Sequence, residues 1–147
     1  MTFTKINEEH LSKFRSILGP EFVFTGKDDI ENYSHDYTED LKFYPEVVLK
    51  PSRTEEVAAV MKFCNETGIA VTPRGAGTGL SGGALPVKKG VILSMERFNR
   101  IIRIDEKNLQ ATVEPGVINQ VFQDAVAEKG LFYPPDPASR GSCQLGG

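Results

Sequence analysis

The chain has no tryptophan, only two cysteines and no basic run longer than Lys88-Lys89. Each shortage removes a class of protein. Cys64 and Cys143 form no C-x-x-C pair, which argues against a disulfide scaffold and fits a reducing cytoplasm. A formal net charge of -3 without a basic patch gives nucleic acid no footprint. No stretch approaches the roughly 20 apolar residues of a transmembrane segment. Glu8, Glu9 and His10 stand where a secretory leader would carry its apolar core. What remains, 39% hydrophobic and 25% charged residues in 147, is the composition of one ordinary globular domain. The expectation is a soluble, cytoplasmic protein that binds no nucleic acid.

Helix signals come first along the chain. Asn7 can cap a helix over residues 8–18, with Ile6 and Leu11 at the ends of a hydrophobic staple and Gly19-Pro20 as the stop. Leu11, Phe14, Ile17 and Leu18 make its apolar stripe. Residues 24–44 lack a sustained period and read as an irregular arm with one short helix near 28–33. "EVVLKP" then reads as a strand. "SRTEEVAAVMKFCNETG" reads as a helix with a Ser52/Glu55 capping box, an apolar face of Val57, Val60, Met61 and Cys64, and Gly68 as a left-handed cap. "IAVTP" completes a β-α-β unit over 46–73. "GVILSM" is a further strand, and "RIIRID" and "LQATVEP" are two more joined by a turn at Glu106-Lys107-Asn108. A helix over 117–129 with Ile118, Val121, Phe122 and Ala125 on one face ends at Gly130.

Between the second and third strands lies "PRGAGTGLSGGALP", with Gly75, Gly77, Gly79, Gly82 and Gly83 close together. Glycine weakens a strand or helix by its entropy cost, so such a cluster has a local reason. Residues 77–82 match G-x-G-x-x-G letter for letter. That motif works when its last glycine opens a helix, and here a glycine, a proline and a strand follow, so a Rossmann site is excluded. A P-loop is excluded too, because no Gly-Lys-Ser/Thr follows. The remaining physics is a bend whose successive N–H groups turn inward and bind an anion without a helix. Thr78 and Ser81 can add hydroxyl donors, and Arg74 a charge-assisted bond. The competing reading is a long flexible turn with Arg74 paired to a surface carboxylate.

Three stretches together, "PEVVLKPSRTEEVAAVMKFCNETGIAVTPRGAGTGLSGGALP", "VEPGV" and "GLFYPPDPAS…GSCQLGG", resemble the vanillyl-alcohol oxidase / p-cresol methylhydroxylase flavoproteins. Within them the chain is most similar to glycolate oxidase flavoprotein subunits and D-lactate and D-2-hydroxyglutarate dehydrogenases. The resemblance covers residues 45–147 closely and the N-terminal arm loosely. It implies an α+β, p-cresol methylhydroxylase-type FAD-binding domain. Its divisions would be an N-terminal helix and arm (1–44), a first parallel β-α-β subdomain with the glycine loop (45–96), and the start of a second subdomain (97–147). Non-covalent FAD would lie between the subdomains. The resemblance places its diphosphate on Pro73, Arg74, Gly75, Ala76, Gly77, Thr78, Gly79, Leu80, Ser81, Gly82 and Gly83. Pro135, Asp136 and Ser139 would approach the flavin, and Gly141, Ser142, Gly146 and Gly147 would continue along the cofactor. Pro115-Gly116 would open a helix whose N-terminus lies near it.

Relatives in that family continue beyond the final Gly-Gly, so the chain reads as an N-terminal, truncated portion of a longer enzyme. The resemblance implies oxidation of a 2-hydroxy acid by hydride transfer to FAD. The base, any metal ligands and the carboxylate clamp would lie elsewhere, so no catalytic residue is assigned. The portion by itself would be inactive and hold FAD weakly, and its open sheet edges would invite self-association or companion subunits. The alternative is a non-catalytic module that binds an anion or a partner. His35 reads as a surface residue, Cys64 as core and Cys143 as a small buried thiol. Tyr33, Tyr37 and Phe43 read as packing for the arm, and Lys88-Lys89 as a solvated turn.

Overall fold

The computed structural model describes residues 2–146; Gly147, expected along the cofactor, lies outside them. Its elements are α1 (Glu8–Leu18), β1 (Val23–Phe24), α2 (Lys27–Glu31), β2 (Val47–Leu49), α3 (Thr54–Thr67), β3 (Val71–Arg74), β4 (Val91–Ser94), β5 (Ile101–Asp105), β6 (Gln110–Val113) and α4 (Asn119–Ala127). A four-stranded sheet has the order β1-β2-β4-β3, and β5-β6 form a separate antiparallel pair. β4 runs parallel to both β2 and β3, and β1 is antiparallel to β2. This mixture of parallel and antiparallel strands with helices is the expected α+β architecture.

β4 takes the centre because it can be buried on both faces, and all four of its residues are. The β2-α3-β3 unit therefore spans a gap that β4 fills later in the chain. β3 and β4 are parallel neighbours joined by residues 75–90, which contain no helix. Parallel neighbours need a long crossover, usually helical. Here the glycine-rich segment makes it, and on its way Leu85 and Pro86 become buried. It enters β4 through Gly90, whose φ is +69° and where a Cβ would stand 2.3 Å from Ala70 O.

The main core lies between the sheet and the helices. Leu11, Phe14 and Leu18 of α1 join Val60 and Cys64 of α3 over Val47, Leu49, Val91 and Leu93. Phe14 is fully buried and meets Phe63 edge to face, with centroids 5.4 Å apart. Burial pushes the Cys64 thiol up to about 11, as befits a core residue. A second core gathers Val117, Phe122 and Val126 against the β5-β6 pair.

α1 matches expectation, including Asn7, whose side chain accepts from the His10 N–H, and Gly19 as its stop. Gly68 closes α3 in the left-handed conformation. Three local readings are corrected. The Ser52/Glu55 box does not form, because α3 starts one residue later with Arg53 as N-cap. Glu56 instead accepts from the Ser52 N–H at 2.8 Å and from Arg53 Nε at 2.9 Å, gaining a guanidinium that Glu55 lacks. Met61 is exposed, since Phe63 supplies the apolar surface on that flank of Val60 and Cys64. Val121 is exposed because Phe122 and Val126 define the inner line of α4, and one residue turns a helix by about 100°.

Replacing Phe14 by alanine is expected to cost about 3–5 kcal/mol, the range for emptying a buried aromatic site. Urea denaturation of wild type and variant measures it, and a loss below about 1 kcal/mol would detach α1 from the core.

Candidate cofactor cleft

The glycine bend leaves β3 at its carboxyl end, where three parallel strands finish. Lys50 follows β2, Arg74 closes β3, Ser94 closes β4 and Glu96 lies just beyond it. Ligands of open α/β sheets collect outside such strand ends. Lys50 Nζ lies 2.7 Å from Glu96 Oε1, while Tyr33 Oη and Ser94 Oγ donate to Glu96 Oε2 at 2.7 and 2.9 Å. Burial pushes the Glu96 carboxyl up, but the bonds from Lys50, Tyr33 and Ser94 outweigh it and hold the pKa below the ordinary value. Burial also raises the Tyr33 phenol.

Arg74 is 6% exposed and lies beneath the bend. Its guanidinium donates to His35 O at 2.8 Å and to Asn32 O and Ala84 O at 3.4 Å, so it serves backbone carbonyls and not a surface carboxylate. Burial lowers its pKa, with the charges of Asp36, Tyr33 and Glu96 pulling the other way. Gly77 is glycine because of this packing: its φ is +70°, and a Cβ would fall 2.1 Å from Arg74 Nη2.

Above the guanidinium is a cleft of about 390 Å³ lined by Pro73, Gly75, Gly77, Thr78, Gly79, Leu80, Ser81, Gly83, Ala84 and Gln144. Within the bend, Gly82 N–H donates to Thr38 Oγ1 at 2.8 Å. Among the described residues, the N–H groups of Gly75, Ala76, Gly77, Thr78, Gly79, Leu80, Ser81, Gly83 and Ala84 meet no protein acceptor. A stretch of free amides is costly unless water or a ligand takes them. Gly79 and Gly83 sharpen the point. Neither has a positive φ, and a Cβ on either would touch nothing within 4 Å. The protein's own packing therefore does not require glycine there. Gln144 adds a buried Oε1 without a partner among the described residues. A cleft of unpaired amides on bare backbone, above a buried cation, fits a polyanion.

The remaining expected residues form a second group. Residues 140–146 run along 115–120: Gly146 N–H donates to Pro115 O, Leu145 to Val117 O, Asn119 to Cys143 O and Gln120 to Arg140 O. The first turn of α4 is thus closed by the chain's own carbonyls. Gly116 and Gly146 are bare for close chain contact, since a Cβ on Gly116 would lie 2.4 Å from Met95 O and one on Gly146 2.2 Å from Pro115 Cβ. Pro135 is tied to α4 by Gln123 Nε2, which donates to its carbonyl at 2.9 Å. Asp136 is exposed and pairs with Arg140 at 2.9 Å. Ser139 O accepts from Ser142 and Cys143, turning the segment back, and Gly141 is open. Pro115, Gly116, Pro135, Asp136, Ser139, Ser142 and Gly146 do not line the 390 Å³ cleft. From their end of the chain Gln144, two residues from both Ser142 and Gly146, reaches it.

Sequence reasoning missed Ala84, Gln144, Thr38 and the polar cluster, because their contacts are made across the fold. His35 is exposed as expected, while Tyr37 is 58% exposed and reaches the bend only through its N–H. Cys143 is half-buried and free. No described helix is long and apolar enough to cross a membrane, and the described residues hold no candidate metal cluster.

Four similarities bear on the cleft. Residues 45–147 match the FAD binding domain family. The chain is 44% identical over 115 residues to the glycolate oxidase subunit GlcD of Bacillus subtilis, covering 78% of this chain and 24% of that protein. It is 41% identical over 143 residues to D-lactate dehydrogenase of Anaerostipes hadrus, covering 94% and 29%. The crystal structure of p-cresol methylhydroxylase with substrate bound superposes with a TM-score of 0.77 at 29% identity, over 88% of this chain and 27% of that one. The chain spans under a third of the length of each.

Glu96 yields a pH prediction. Its folded pKa is below its unfolded value, so its stabilisation is complete above about pH 4.5 and is lost as pH falls through the folded pKa. The urea midpoint of wild type is expected to drop on that descent. The Glu96→Gln curve starts lower at pH 7 and falls less steeply; parallel curves would remove Glu96 from the acid response.

Proposed function

The chain belongs to the FAD binding domain family, and from that premise we propose that the amides of residues 75–81 hold the diphosphate of FAD within an oxidoreductase that oxidises a 2-hydroxy acid. The single observation that carries this is the run of unpartnered N–H groups from Gly75 to Ser81, with glycine at position 79 where the fold itself would leave room for a side chain. Thr78 and Ser81 line the same cleft and supply hydroxyl donors. Arg74 contributes from beneath: its side chain is engaged with carbonyls, and its positive charge under the bend favours an anion above it. The orphaned Gln144 Oε1 accepts from a cofactor hydroxyl or amine.

We assign the second group a supporting part. Pro115 and Gly116 fix Gly146 and with it the segment that brings Gln144 to the bend, and Pro135, Asp136 and Ser139 would form a wall toward the flavin. We assign FAD as non-covalent. FAD, when bound, supplies the acceptor for a hydride from the substrate Cα. The work of these residues is binding and orientation, and we assign none of them as base. The relatives named for glycolate and D-lactate motivate the substrate class. We keep the divisions 1–44, 45–96 and 97–147 for the N-terminal helix and arm, the parallel strands with the glycine bend, and the start of the second subdomain, although β1 of the first pairs with β2 of the second. Two free cysteines favour the cytoplasm.

A second reading, a partner-binding module, has one observation in its favour. An apolar groove of about 620 Å³ runs between β5-β6 and α4, with Phe132 84% exposed and Leu109 75% exposed. Companion subunits, or self-association, would cover it.

Glycine-to-alanine changes test the first reading. In the protein as its gene encodes it, Gly79→Ala and Gly83→Ala are expected to leave stability within about 0.5 kcal/mol of wild type. They should weaken FAD binding about tenfold or more, about 1.4 kcal/mol. Flavin absorbance after reconstitution and urea melts supply the two readouts. A protein that stays colourless with FAD in excess would defeat the first reading.

A further inference from the structure

The bend that would hold the diphosphate is shaped by the N-terminal arm, which lies outside the family match at 45–147. Glycine has the greatest conformational freedom of any residue, so a bend this rich in it takes its shape from surrounding contacts. Beside Arg74 and Leu85, two of those contacts come from the arm, at Gly79 and Gly82. Tyr37 N–H donates to Gly79 O at 3.1 Å, and Thr38 Oγ1 accepts from Gly82 N–H at 2.8 Å. Gly82 sits at φ +71°, and a Cβ there would lie 3.8 Å from Leu41 Cδ1 of the same arm. Thr38 is itself held, because its N–H donates to Asp36 Oδ1 at 2.8 Å. Asp36 is 6% exposed and acts electrostatically on Arg74, whose guanidinium is bonded to His35 O.

We propose that Thr38 is a positioning residue for the nucleotide diphosphate: its hydroxyl fixes the Gly82 amide and so presets the preceding free amides of the bend. This rests on the reading that the bend holds FAD. Thr38 acts through Gly82, and Asp36 and Arg74 hold it in place. The alternative is that Thr38 only stabilises the arm, which would move folding and leave ligand affinity alone. A preset bend binds more tightly because its ordering cost is met before the ligand arrives.

The test uses the protein as its gene encodes it, with FAD, ADP and riboflavin as probes. ADP isolates the diphosphate and riboflavin lacks it. Thr38→Val keeps the volume and removes the acceptor. It is expected to raise the Kd for FAD and ADP about tenfold while leaving riboflavin unchanged, and Thr38→Ser should restore wild-type values. Wild-type affinity for FAD and ADP in Thr38→Val overturns the proposal, as does an equal loss for riboflavin. If wild type itself binds no FAD, the underlying reading fails and takes this one with it, a result distinct from a silent Thr38→Val. Should Thr38→Val not fold, amide exchange in wild type decides. Gly82 N–H is expected to exchange at least tenfold more slowly than the N–H groups of Gly79 and Gly83, and equal rates overturn the proposal.

Discussion

A buried cation with no carboxylate in hydrogen-bonding contact organises this molecule. Removing a guanidinium from water is expensive unless its donors are satisfied. Arg74 meets that demand with main-chain oxygens drawn from two distant segments, the arm at Asn32 and His35 and the far side of the bend at Ala84. The segments are thereby fixed to one point at the end of β3. The same group occupies the volume next to Gly77 and so forces glycine there. Arg74 explains why an irregular arm is ordered at all. It also explains why the bend can leave its own amides unused and stay compact.

Around that point the sheet supplies direction. Parallel strands deliver their carboxyl ends to one side, and the residues immediately beyond them are polar, charged and mutually bonded. The helices α1 and α3 cover the sheet's apolar face. β1 pairs with β2 and shields an edge that the parallel unit would otherwise expose. The second core forms separately around Phe122 and Val126. It meets the first through tight backbone contacts at Gly116, where Met95 and Phe98 leave no space for a side chain.

Much of this was legible in the residues. α1 and α3 announce themselves by apolar spacing and by Asn7, Gly19 and Gly68 at their ends, because those signals are local. The glycine bend was legible as a place needing bare backbone, and the family resemblance rested on three motifs in order. Other features depend on pairings across the chain that no local pattern encodes. β1 is two residues long and exists only because β2 offers an edge. Arg53 caps α3 since Glu56 can take both the Ser52 amide and the Arg53 guanidinium. Gly116 and Gly146 belong to chain contacts that close over each other and Pro115, and Arg74 turned inward because carbonyls from the arm were waiting there. Thr38 and Gln144 carry no motif, and their importance comes from where the fold delivers them.

The crossover between β3 and β4 has a mechanical consequence. Since residues 75–90 are both the bend and the connection that returns the chain to the amino end of the central strand, they cannot be displaced independently of the sheet. Swinging the bend away to admit or release a nucleotide would pull on Arg74 at one end and on Gly90, wedged against Ala70, at the other. A hinged lid can open at little cost to the body beneath it. This structure has the reverse design: the bend is a tie-rod of the scaffold.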